Sequence, residues 1–247
     1  MRADEARPRL AALGFRPEDV ETLADHFLDA ERRGSTGHGL ARIEWLETWD
    51  EIDTEARPVR VAAEPGYELW DGNGALGYLT LAAAVEAQLV DPPPSARVVV
   101  CARAFPTGAL GYWVRRLAEG GLVGLLTATS PRRLPAPGGS APLTGTNPLA
   151  IAIPSSEGPP VVSDVSMGAV THGDVLAGRA RPEELVPFGG ELAHKAFALA
   201  VGLQLLVDAL APGDGFGAVL LVARPQSDPV PAFRALAAGL RLPGDRR

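Results

Sequence analysis

The chain has 247 residues, 46% of them hydrophobic and 21% charged, with a formal net charge of −7. This is the make-up of a globular chain long enough for one sizeable core or two modest ones. The mild acidity, with no Lys/Arg cluster on a predicted helix face, argues against nucleic acid as a partner. The one cysteine, Cys101, excludes an internal disulfide, and its run Val98-Val99-Val100-Cys101 reads as a buried strand. The start, Met1-Arg2-Ala3-Asp4-Glu5, carries charge where a signal peptide would be apolar, and no uninterrupted apolar run reaches membrane-spanning length. The expectation is a cytoplasmic protein with no membrane partner.

In chain order, the first predicted element is a helix opened by Pro17-Glu18-Asp19. Val20, Leu23, Ala24, Phe27 and Leu28 recur along it at helical spacing, and Arg32-Arg33-Gly34 ends it. A polar turn through Gly39 leads to a second helix that starts near Leu40 and carries Ile43, Leu46 and Trp49. Residues 59–71 read as extended, and Asp71-Gly72-Asn73-Gly74 as a turn. A Leu/Ala-rich helix from about Leu76 to Leu89 stops before Pro92-Pro93-Pro94. Then come a strand over 97–102, a helix between Gly108 and Gly120, a strand from Leu122 to Thr127, and a Pro/Gly-rich loop over 131–139. Two short apolar strands follow, one after Pro148 and one at Val161-Val162. Residues 168–190 are less regular. The segment Leu192 to Leu210, with Phe197, Leu199, Val201, Leu203, Leu205 and Leu206, predicts a helix of the core. A strand over 218–223 and a short helix from Pro231 complete the pattern. Alternating strands and helices predict an α/β fold, and no internal repeat is present.

Chemistry-bearing residues concentrate in the turns between these elements, where α/β proteins place their functional groups. His38 lies in Gly37-His38-Gly39 just before a helix, where flanking glycines allow close approach of a ligand and the helix start disfavours a charged imidazole. Arg42, four residues on, would share its helix face. Asp164 ends the second of the two short strands, after the polar turn Gly145-Thr146-Asn147-Pro148. Lys195 is the only lysine in an arginine-rich chain. His26 reads as a structural histidine of an amphipathic helix, and His172 as an exposed loop residue. No His, Cys, Asp or Glu set has metal-ligand spacing, so no metal site is expected. There is no Gly-x-Gly-x-x-Gly after a strand, so the Rossmann fingerprint is missing.

Taken together, Gly37-His38-Gly39-Leu40-Ala41-Arg42, Pro137-Gly138-Gly139, Gly145-Thr146-Asn147-Pro148, Ser163-Asp164-Val165-Ser166 and His194-Lys195 resemble the malate/L-lactate dehydrogenase family of NAD(P)H-dependent oxidoreductases. Its members include reductases of 2-oxo acids and of cyclic imino acids. The resemblance implies a non-Rossmann α/β fold with a mixed sheet and flanking helices. It implies a helical, substrate-side unit from residues 1–65 with 187–247, and a cofactor-side unit from 66–186. It gives His38 the role of proton donor, Asp164 that of its carboxylate partner, and Arg42 that of clamp for a substrate carboxylate, with Thr146 and Asn147 beside it. It sets Thr127, Thr129, Pro137, Gly138, Gly139, Gly145 and Lys195 near NADPH or NADH. It further implies a homodimer whose active sites lie at the subunit interface.

The match departs from the family in three places. The family serine before the histidine is Gly37 here. The family's histidine-containing polar stretch is Arg103-Ala104-Phe105-Pro106-Thr107. The segment from Gly168 to Pro187 is shorter than usual. The expected function is therefore reduction of a small carboxylated C=O or C=N substrate. The alternative is a scaffold that has left nicotinamide chemistry for cofactor-free acid–base catalysis or ligand binding.

Overall fold

The computed structural model describes residues 1–245. Its elements run α1 (Ala6–Ala12), α2 (Pro17–Arg32), α3 (Ala41–Leu46), β1 (Val59–Glu64), β2 (Tyr67–Asp71), α4 (Gly77–Val90), β3 (Ala96–Ala102) and α5 (Leu110–Glu119). They continue with β4 (Val123–Ala128), β5 (Leu134–Pro135), β6 (Pro142–Thr144), β7 (Leu149–Ile153), β8 (Val161–Val165), α6 (His172–Leu176), α7 (Ala193–Leu210), β9 (Ala218–Ala223) and α8 (Val230–Leu236). The main sheet has seven strands in the order β1-β2-β3-β9-β4-β7-β8, and β5 pairs with β6 in a separate hairpin. Only β2 and β3 run parallel; β9 is antiparallel to both of its neighbours. The sheet is thus mixed, as expected. Because β9 sits between β3 and β4, the segments 66–186 and 187–247 share one sheet. Residues 246–247 of that expected division lie outside the described residues.

Strand alternation decides which face carries the core. Val99 and Cys101 of β3, Leu126 of β4, Ala150 and Ala152 of β7 and Leu220 and Val222 of β9 point to one side, where α4 and α5 bury Leu81, Val85, Trp113, Val114 and Leu117. α2 adds Leu23 and Phe27 to the same cluster. Cys101 is fully buried there, which pushes its thiol up to about 12. The opposite face is thinly covered: Val100 and Val219 meet Val207 of α7, while Leu221 remains partly exposed.

α7 departs from expectation. It is no core helix: only Ala196, Ala200 and Val207 are buried, and Leu199, Leu205, Leu206 and Leu210 are exposed. Apolar composition on all sides of a helix predicts burial, but here only a narrow stripe of small residues meets the sheet. By length and composition Gly190–Leu210 also suffices to cross a membrane, although Gln204 interrupts its apolar run. α1 was not foreseen, because Ala6 and Leu10, four apart, are the buried residues among its charged neighbours. The Pro/Gly-rich loop likewise hides the β5–β6 hairpin.

Asn147 ties α7 to the sheet. It is fully buried, adopts a φ of +26°, and its Nδ2 donates to Ala200 O and to Gln204 Oε1, each at 3.0 Å. Of all side chains, Asn tolerates such a backbone well. His26, also fully buried, sits among Phe27, Tyr78, Tyr112 and Trp113, and its Nε2 accepts the N–H of Ala109 at 3.1 Å. Burial, aided by His38, Arg115 and Arg42, holds its pKa well below the ordinary histidine value.

Two outcomes follow. Asn147→Ala should cost about 1–3 kcal/mol by urea denaturation, the usual loss when a buried hydrogen-bonding group is removed. Acid should destabilise the fold through His26. In the unfolded chain this histidine takes up a proton below about pH 6.5, whereas the folded site refuses it, so stability is intact above that pH and falls as pH drops below it. Thermal unfolding between pH 8 and 4 should show this fall, and His26→Gln should flatten it.

Candidate active site

One cavity of about 220 Å³ opens beside the ends of β4 and β8. The turn before α3 contributes His38, α3 contributes Arg42 and Trp45, α4 contributes Tyr78, and the segment into α5 contributes Phe105 to Leu110. Thr129, Ser130, Arg133, Thr146, Asp164 and His172 are among the polar residues of the wall. Tyr78, Phe105, Ala128 and Pro148 add apolar surface to the same wall.

His38 ends a single turn of 3-10 helix over Thr36–His38, and Arg42 lies in the first turn of α3. They are not on one continuous helix, yet both reach the cavity. The Nε of Arg42 donates to Gly37 O at 2.8 Å, and its guanidinium lies 5.1 Å from the Trp45 ring centroid, a cation–π distance. The residue is thereby oriented with no carboxylate partner. The Nδ1 of His38 is sealed from solvent without a partner, which leaves Nε2 as the open ring nitrogen. Burial first, and then Arg42, lower the His38 pKa to about 4, while Asp174 opposes them. At neutral pH the imidazole is uncharged.

Asp164 is in the same cavity, but no hydrogen bond or ion pair joins it to His38. Its Oδ2 accepts the N–H of Gly111, at the start of α5, at 2.7 Å. The residue is exposed at the cavity surface, yet crowding around the carboxylate raises its pKa above the ordinary value. Gly111 is required here, since a Cβ would sit 2.9 Å from that oxygen.

Several other expected site residues stand behind the wall or outside it. Thr127 is fully buried and donates its Oγ1 to Pro148 O at 2.9 Å, and the Asn147 amide is spent on α7. Both residues shape the cavity without lining it. Gly145 lets its loop approach Ser130 and Asn147 closely. Pro137, Gly138 and Gly139 form a surface turn, with Gly138 at φ +77° and open space around it. Lys195 is exposed on the first turn of α7. Thr129 and Thr146 do line the cavity.

His172 is a correction of the opposite kind. It is half-buried in the cavity wall, and burial with Arg133 and Arg42 lowers its pKa to about 4. It begins α6, whose N-terminus is capped by Thr171 and Asp174. The short 168–187 segment is closed by a bridge between Gly168 and Pro187 and docks α6 against the His38 turn. A Cβ on Gly173 would collide with the Gly37 carbonyl oxygen, and Gly37 itself is tightly enclosed by Thr171 and Arg179. Glycine at 37 and 173 thus permits this docking. Sequence reasoning also missed Arg133 and Tyr78; the only signal for the former was an Arg132-Arg133 pair between two matched loops.

Comparison with known proteins gives this geometry a context. The family model described as malate/L-lactate dehydrogenase matches residues 4–185. A Delta(1)-pyrroline-2-carboxylate/Delta(1)-piperideine-2-carboxylate reductase of Pseudomonas putida is 34% identical over 78% of this chain and 64% of its own length. A (2R)-3-sulfolactate dehydrogenase (NADP(+)) of Chromohalobacter salexigens is 30% identical over 74% of this chain and 56% of its own. The matched region therefore spans less than two thirds of these relatives. Among solved structures, the delta1-piperideine-2-carboxylate reductase of Pseudomonas syringae superposes with a TM-score of 0.80 at 27% identity, covering 99% of this chain and 89% of that one. The fold, the family model and the relatives agree: this chain belongs to the malate/L-lactate dehydrogenase family.

Proposed function

We propose that the protein is an NAD(P)H-dependent reductase of a small carboxylated substrate, a 2-oxo acid or a cyclic imine. The observation that carries this reading is the convergence of His38 and Arg42, a proton-transfer group and an unpaired guanidinium, on one cavity with an apolar wall. The reductase and dehydrogenase relatives, whose named substrates are carboxylates, support it. A cytoplasmic setting accords with the single buried thiol.

The cavity suits the reactive end of a nicotinamide cofactor. Tyr78, Phe105, Ala128 and Pro148 offer the flat apolar surface that such a ring needs, and Thr129 the polar group at its edge. Lys195 and the Pro137-Gly138-Gly139 turn would hold the more distant, charged portion. When bound, the cofactor supplies the hydride. Arg42 holds the substrate carboxylate and so orients the C=O or C=N bond. His38, through Nε2, delivers a proton to the oxygen or nitrogen of that bond. The same guanidinium that lowers the His38 pKa is neutralised by the incoming carboxylate, so substrate binding brings the imidazole toward protonation. Asp164 is the one carboxylate in the wall, while the carboxylate whose field favours the His38 imidazolium is Asp174.

We further infer a homodimer formed through the outer face of α7. Leu199, Leu205, Leu206 and Leu210 make an exposed apolar stripe on a helix that also holds the cavity's supporting Asn147. Burying such a face against a second copy is a common solution, because twofold association lets one patch cover itself.

Titration of the purified protein with NADPH and NADH tests the reading: saturable micromolar binding of either is expected, and binding of neither would overturn it. His38→Ala should lower turnover by about 10²-fold or more, the scale for loss of a general acid. Because the proton donor is the charged form, kcat/KM for reduction should fall as pH rises from 5 to 8. Light scattering should give a dimer, and Leu205→Glu with Leu206→Glu should give a monomer.

A further inference from the structure

We propose that Arg133 is a specificity-determining residue that selects a substrate with a second anionic group, a 2-oxo acid bearing a distal carboxylate or sulfonate. This deepens the reductase reading and rests on it.

The argument begins with how this chain treats its arginines. Among the described residues, every other arginine that is at least half-buried, Arg42 apart, meets a carboxylate. Arg97 pairs with Glu68, Arg115 with Asp29 and Arg234 with Asp245. The exceptions, Arg42 and Arg133, both line the one cavity that carries the candidate chemistry. Neither side chain has an acidic partner, and Arg133 makes no side-chain hydrogen bond. A half-buried guanidinium left bare is costly, and two in one wall repel each other. Burial and Arg42 together hold the Arg133 pKa below its ordinary value.

The wall offers nothing to relieve this. Its one acid, Asp164, forms no ion pair with Arg133 and turns its Oδ2 to the Gly111 N–H. Its other ionisable neighbours are basic, His38 and His172. Nor is Arg133 a loose surface residue: its own N–H donates to Thr144 O at 2.7 Å, at the start of the β5–β6 hairpin, so the backbone that carries it is fixed. A substrate with one carboxylate satisfies Arg42 and leaves Arg133 bare. A substrate with a second anion a few atoms away satisfies both. On this ground a cyclic imine carboxylate, with its single negative charge, is the poorer fit.

Oxaloacetate and pyruvate differ by one carboxylate and so make the test direct. With saturating cofactor, the wild type should show a kcat/KM about 10–100-fold higher for oxaloacetate, the range expected of one charge-assisted interaction. Arg133→Met should remove most of that preference by lowering kcat/KM far more for oxaloacetate than for pyruvate, and Arg133→Lys should restore part of it. Calorimetry without cofactor supplies a second arm: malate should bind more tightly than lactate, and only in proteins with a cation at 133. No wild-type preference, or equal losses on both substrates, would overturn the proposal. So would a weakened NADPH affinity in Arg133→Met with the substrate ratio unchanged, which would assign the residue to a cofactor phosphate. If neither NADPH nor NADH binds, the reductase reading fails by itself, and the malate–lactate comparison still decides the role of Arg133.

Discussion

One buried amide, that of Asn147, sets the register of the parts that build the cavity. Its two hydrogen bonds hold α7, and its positive φ turns the chain sharply between Thr146 and Pro148. On one side of that turn the Thr146 carbonyl accepts the N–H of Met167 at 2.9 Å, which fixes the end of β8. On the other side the Pro148 carbonyl accepts from Thr127, which fixes the end of β4. The strand ends that carry Thr129, Thr146 and Asp164 are thus clamped to one another from behind. A side chain that touches no substrate determines where those that line the cavity stand.

The second organising force is desolvation. His26, His38 and His172 are all held below their ordinary pKa, with burial the largest cause in each. Arg42 adds to it at His38, and Arg133 with Arg42 at His172. The resting cavity is therefore a place where imidazoles are neutral and an anion is wanted. In the proposed mechanism charge enters with the ligand, and that charge favours protonation of His38. Affinity and proton transfer are linked through the same electrostatic field, with no conformational switch required.

Much of the fold was legible in the sequence. Helical spacing in α2, the proline break before β3 and the apolar runs of β4, β7 and β9 each correspond to an observed element. The failures have physical causes. The apolar composition of α7 signals burial but cannot say whether the burying surface belongs to the same chain. The hairpin after Arg133 is short and proline-rich, so it carries no period-two pattern. In the site, motif spacing found His38, Arg42, Thr146 and Asp164, which do meet. It could not distinguish Thr127 and Asn147, whose donor groups are spent inside the protein, from residues that face a ligand. It read His172 as an exposed loop residue and did not single out Arg133; both line the cavity through what surrounds them and not through any local pattern.

The place of β9 in the sheet has a consequence for how the molecule is made. β3 and β4 are separated in space by a strand that begins about 90 residues after β4 ends. As the chain leaves the ribosome, β1 to β3 can pair locally, and so can β4, β7 and β8. Yet β3 and β4 each present an unsatisfied inner edge until residues 218–223 arrive. Such open edges invite pairing with other chains, and closure over so long a loop is slow. A nascent or truncated chain lacking β9 would accordingly consist of two sticky half-sheets with no cavity between them. β9 completes the sheet by pairing with β3 on one edge and β4 on the other.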